Sequence, residues 1–155
     1  MCSRINSIHK FSKADQIPNR LIYKTPEKDF YRMFDTRSGK MLGEMLAFVN
    51  TNTDKRFYTN LKLPYKSFHI ASLEISEKKQ GYGREFIEFA KVLSKRKGCE
   101  NRITLVAYNP GESPHVFYRK CGFTTNYKHI NKFLDKCIAG KEELRYMTLT
   151  HMYLA

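Results

Sequence analysis

Between Ser67 and Gly98 the spacing of apolar residues changes from that of a strand to that of a helix, across a loop holding two glycines. In Ser67–Ser76 the apolar positions are Phe68, Ile70, Leu73 and Ile75. All steps are two except the step of three from Ile70 to Leu73. A β-bulge accounts for the slip, and so does an irregular edge. After the loop, Tyr82, Phe86, Phe89, Ala90 and Leu93 recur at steps of three and four, the spacing of an amphipathic helix. Lys95, Arg96 and Lys97 followed by Gly98 give a good helix stop. Between them lies Glu77-Lys78-Lys79-Gln80-Gly81-Tyr82-Gly83-Arg84. Glycine allows backbone conformations and close approaches that a Cβ forbids. Unsatisfied N–H groups at a helix start attract anions, and Lys78, Lys79 and Arg84 add positive charge. A phosphate would be held here mainly by backbone donors, although a tight turn alone also explains a Gly-x-Gly. The loop is not a Walker A sequence, and Phe86 stands where a dinucleotide fingerprint requires its third glycine.

The remaining pattern predicts a mixed α/β sheet. Leu21–Tyr23 reads as a short strand. Asp29–Asp35 and Met41–Asn50 read as a β-hairpin turning at Arg37-Ser38-Gly39, followed by a loop from Asn50 to Lys62. Arg102–Tyr108 reads as a buried strand, His115–Cys121 as a short helix closed by Gly122, Phe123–Asn126 as the start of a strand, Lys128–Ala139 as a helix and Leu144–Tyr153 as a final strand. The 155 residues suit one domain, residues 1–155. No apolar run is long enough for a membrane helix. The four cysteines form no metal-binding comb, no metal is required, and free thiols point to a reducing cytoplasm. The formal net charge is +13, which favours anionic partners without choosing among nucleic acid, phosphorylated cofactors and acidic proteins.

The strand IASLEI, the loop EKKQGYGREFI, the strand ITLVAYN and the segment FYRKCGF occur in that order. Together they resemble the GNAT superfamily of acyl-CoA-dependent N-acetyltransferases, over about residues 41–126. The resemblance implies a single-domain GNAT-like fold, a mostly antiparallel twisted sheet flanked by helices, with a shortened N-terminal helical region. It implies acetyl-CoA as co-substrate and direct transfer to a primary amine of unknown class. Backbone groups of Leu73, Glu74 and Ile75 would follow the acyl and pantetheine arm. Gln80, Gly81, Tyr82, Gly83 and Arg84, with Glu85 at the margin, would wrap the pyrophosphate. Asn109 would contact the pantetheine, and Phe117 and Phe123 would pack the CoA arm or the core. Tyr118 would be the general acid for the departing thiolate, consistent with a phenol that titrates near ~10 and is protonated at neutral pH. His69 and Glu74 are candidate bases for the acceptor amine, and Cys121 is structural.

Two registers fit the family's Gln/Arg-x-x-Gly-x-Gly/Ala pattern. One puts Lys78 first and Gly81 and Gly83 at the small positions. The other puts Gln80 first and Glu85 at the last small position. Residues 76–98 carry seven positive and three negative charges, as do residues 119–145. If the two stretches share a face, an RNA-linked or ribosomal acceptor gains support; if they lie apart, the charge is better read as solubility. A non-catalytic basic nucleic-acid-binding module is the competing expectation. The oligomeric state is not legible.

Overall fold

The computed structural model describes residues 8–9, 19–78, 80–108, 113–145 and 147–155. Among the described residues, eight strands form one sheet in the order β1-β2-β3-β4-β5-β6-β8-β7. The strands are β1 (Ile8–His9), β2 (Arg20–Lys24), β3 (Phe30–Asp35), β4 (Met41–Asn52), β5 (Tyr65–Ile75), β6 (Ile103–Ala107), β7 (Phe123–Thr124) and β8 (Thr150–Leu154). The helices are α1 (Tyr82–Arg96), α2 (His115–Lys120) and α3 (Lys128–Ile138). Strands β1 to β5 form an antiparallel meander. Strand β6 pairs with β5 in parallel, with α1 as the crossover that parallel neighbours require. Among the described residues no helix precedes α1, so the shortened N-terminal helical region is replaced there by the meander.

The step of three in β5 is a bulge. Leu46 faces Ser72 and Ala47 faces Ile70, which leaves Ala71 as the extra residue. Without it, period-two alternation would send Leu73 and Ile75 to the face opposite Phe68 and Ile70. With it, all four join one core. That core takes Tyr31 and Met33 from β3, Met45 and Ala47 from β4, and Phe86, Phe89, Ala90 and Leu93 from α1. Side chains of this size are each worth about 1.5–3 kcal/mol when buried, so α1 is fixed firmly over β3, β4 and β5.

The opposite face buries a polar network. Asn52 Nδ2 donates to Ser67 Oγ at 2.8 Å, Ser67 Oγ lies 3.0 Å from Thr104 Oγ1, and Thr104 Oγ1 lies 3.0 Å from His69 Nδ1. Residues 53–64 cover this network. Phe57 packs against His69 and His151, and Tyr58 donates to the Leu154 carbonyl at 2.6 Å.

The last strand begins later than its apolar pattern predicts. Residues 144, 145 and 147–149 lie outside any strand, Tyr146 being outside the description, and Leu144 and Leu149 are exposed. The ladder with β6 ends at Ala107 opposite Thr150, because β6 itself stops there.

Candidate active site

Strands β5 and β6 pair over only three positions, Phe68–Ile103, His69–Thr104 and Ile70–Leu105. Beyond them β5 bulges at Ala71 and continues against β4 as far as Ile75, while β6 continues against β8. The two strands therefore separate, and a cavity of about 250 Å³ opens between them. Ile70, Ala71, Ser72, Leu73 and Glu74 line one side, Leu105, Val106 and Tyr108 line the other, and Pro114 and Tyr118 close it from α2. Strand backbone facing such a wedge has no strand partner on that side, so its N–H and C=O groups are available to an extended polar ligand.

The helix start lies close by. Gly81 is the N-cap of α1 with φ 82°, a left-handed conformation suited to glycine, and no side chain caps the helix. The Glu85 amide donates to the Gly81 carbonyl at 3.1 Å; the amides of Tyr82, Gly83 and Arg84 precede the first intrahelical bond. At Gly83 a Cβ would sit 2.8 Å from Phe117 Cζ, so α1 and α2 approach there as closely as only glycine allows. The Phe117 and Tyr118 ring centroids are 5.2 Å apart. One turn of α2 thus touches the Gly81–Gly83 loop with one residue and the cavity with the next. This geometry suits the register with Gly81 and Gly83 as the small positions. Glu85 is instead buried, its Oε1 3.0 Å from Arg20 Nη1.

Tyr118 is 9% exposed, and burial pushes its phenol up to about 12, with Cys121 adding to the rise. It stays protonated at neutral pH and can donate. Glu74 is exposed and lies in the same cavity wall, opposite Glu44 on β4, which accepts from Arg32 Nε at 2.6 Å. The structure therefore brings Tyr118 and Glu74 to one cavity. His69 stands apart from its lining, in the Ser67–Thr104 network, and burial and then His151 lower its pKa. Leu73 and Ile75 follow β5 beside the wedge, and Lys78, Gln80 and Arg84 surround the helix start. Asn109 and Lys79 lie outside the described residues. Cys121 is buried and burial raises its pKa, so it is held as an unreactive thiol.

Three contributors were not singled out in the sequence. His115, fully buried, bonds Ser113 Oγ through Nδ1 and approaches the Thr148 carbonyl and Thr150 Oγ1 at 3.2 and 3.0 Å through Nε2. It ties α2 to the start of β8. Arg119 makes a two-pronged bond to Asp135 at 2.8 and 3.0 Å, locking α2 to α3. Arg20 reaches α1 from β2. Each joins residues 16 or more apart, so no local motif announces them, except that a buried-type His at a helix start is a weak hint.

No protein-family model and no curated protein matches the chain. Solved structures do. A bacterial toxin aligns over 89% of this chain and 68% of its own, at 15% identity and a TM-score of 0.51. The NatC complex bound to Gag peptide and CoA aligns over 81% of this chain and 69% of its own, at 16% identity and a TM-score of 0.51. The chain has a GNAT-like fold. The Bacillus subtilis N-acetyltransferase YlbP, in complex with coenzyme A, also aligns, at 20% identity and a TM-score of 0.47, over 66% of this chain and 60% of its own. The feature that organises the site is the sheet split between β5 and β6, with a glycine-opened helix following the split strand. Among the described residues no helix is long and apolar enough to cross a membrane.

Proposed function

We propose that this protein is an acetyl-CoA-dependent N-acetyltransferase that passes the acetyl group directly to a primary amine. The observation that carries the reading is the continuity, through α2, of the β5–β6 cavity with the uncapped start of α1. Residues fit such a co-substrate at both ends. The glycine cradle at Gly83 and the amides of residues 82–84 suit a diphosphate, and the β5 edge at Leu73 and Ile75 suits the amides of a pantetheine arm. CoA in the NatC structure supports the same reading. The co-substrate supplies an activated acyl carbon on a thiol leaving group.

The protein's groups then have distinct tasks. A strand N–H near the Ala71 bulge polarises the thioester carbonyl. Glu74, directly or through water, takes a proton from the acceptor amine, whose nitrogen forms the new C–N bond. Tyr118 donates its phenolic proton to the sulfur as the C–S bond breaks, and is reprotonated from solvent. Glu74, exposed on the cavity wall, attracts an ammonium group before it is deprotonated, while the neighbouring Glu44 is paired with Arg32. His69 is the weaker candidate for base. The described thiols, Cys99, Cys121 and Cys137, are unpaired, which suits a reducing cytoplasm.

One observation favours a particular carrier for the acceptor, an RNA-linked or ribosomal amine. Arg84 on α1 donates to the Lys120 carbonyl at 3.5 Å, and α2 is locked to α3 through Arg119 and Asp135. The two basic stretches therefore adjoin. On α3, Lys128, Lys132 and Lys136 are exposed at steps of four, and the helix's one acidic residue, Asp135, is paired with Arg119. A purely nucleic-acid-binding role would leave the cavity and Tyr118 without a task. The test is thiol release from acetyl-CoA across amine classes, including aminoacyl-RNA. Release with at least one class is expected; no CoA binding by calorimetry overturns the reading.

A further inference from the structure

Arg20 on β2 engages the first turn of α1 and the loop before it at three points. Its Nη1 is 3.0 Å from Glu85 Oε1 and 3.5 Å from the Gln80 carbonyl, and its guanidinium lies 4.6 Å from the centre of the Tyr82 ring. Both side chains of the ion pair are largely buried, at 18% and 10% exposure. Among the described residues Glu85 Oε1 nevertheless has no partner in hydrogen-bond geometry, so Arg20 neutralises it by proximity alone. Among the described residues, β4 contributes Leu42 and Met45 to the core that α1 packs on, and Phe117 of α2 meets α1 at Gly83. On α1, Arg84 is exposed and Glu88 is paired with Lys91. Lys40 is paired with Glu77 and lies towards Tyr82.

A buried carboxylate held by one imperfect ion pair sits in the same first turn of α1 as the amides assigned to the diphosphate. Two anions then compete for the same helix-start field. Resting on the co-substrate reading above, we propose that diphosphate binding at the start of α1 is coupled to uptake of a proton by Glu85. Burial raises Glu85 to about 7, with Arg20 opposing the rise, so the carboxyl is half-titrated near neutrality. A second negative charge nearby pushes it further towards its protonated form. Affinity for the diphosphate therefore falls as pH rises above 7, by at most tenfold per unit.

The test is calorimetric titration of dephospho-CoA, which keeps the diphosphate and lacks the 3′-phosphate whose own titration near about 6 would confuse the result. At pH 7, heats in two buffers of low and high ionisation enthalpy should differ by the equivalent of a fraction of a proton taken up per site, up to about half for a group that starts half-titrated. Glu85→Gln should bind with buffer-independent heats. Arg20→Met, lacking the cation that keeps the proton off, should take up less at pH 7 and more at higher pH. Equal heats in both buffers for the wild-type protein, or undiminished uptake in Glu85→Gln, overturn the coupling and leave the co-substrate reading standing. Absence of binding by dephospho-CoA and CoA alike overturns both. The wild-type arm stands without either variant.

Discussion

Tyr118 can serve as an acid because burial pushes its phenol up to about 12, so the proton stays on at neutral pH. Removing the hydroxyl while keeping the ring should spare the packing against Phe117 and Phe123. Tyr118→Phe is expected to lower kcat by about 10²–10⁴-fold, with the KM for acetyl-CoA little changed, as read in a thiol-release assay. Glu85 carries a separate expectation for stability. Its folded-state pKa, about 7, lies above the ordinary 4.5, so the folded chain holds a proton that the unfolded chain releases. That contribution is complete below pH 4.5 and is lost as pH rises through 7. Glu85→Gln, which cannot ionise, should therefore unfold at the same denaturant concentration as wild type near pH 4 and gain on the order of 3 kcal/mol by pH 8. Tyr118 and the glycines were legible in the sequence because their signals are local. The Arg20–Glu85 pair was not, because its partners are 65 residues apart and a glutamate at that helix position looks like any solvated one.

Among the elements, the bulge in β5 and the glycine start of α1 shape the site. The bulge was visible as a broken step of two, since a buried face records every slip in its hydrophobic pattern. The start of β8 was not visible, because apolar residues at 144 and 149 mimic a strand whose ladder depends on how far β6 extends. The absence of a Cβ at Gly83 matters through its neighbour. Gly83→Ala brings a methyl to within 2.8 Å of Phe117, an overpacking of the kind that costs about 1–3 kcal/mol. CoA affinity measured by calorimetry is expected to fall tenfold or more. Phe117→Leu in the same chain should recover much of the loss, whereas a loop unconnected with binding would show neither effect.

For the whole molecule, charge and topology have separate consequences. The sheet order places β5 beside β6 and so creates the wedge. The net charge of +13 affects partners rather than fold. Replacing Lys128, Lys132 and Lys136 with Glu should abolish salt-sensitive RNA binding in a filter assay and leave CoA affinity within about twofold. Equal RNA binding by the variant would return the α3 charges to a role in solubility. The sequence announced the excess charge without its placement, since adjacency of α1, α2 and α3 arises only when Arg84 meets Lys120 and Arg119 meets Asp135. The central claim is that a thioester carrier lies in the split between β5 and β6 with its diphosphate on the start of α1. X-ray diffraction from crystals grown with CoA measures this directly. Density for the pantetheine arm along Leu73–Ile75, ending with sulfur beside the Tyr118 hydroxyl, is the expected result. CoA bound on another surface, with the wedge empty, would contradict it.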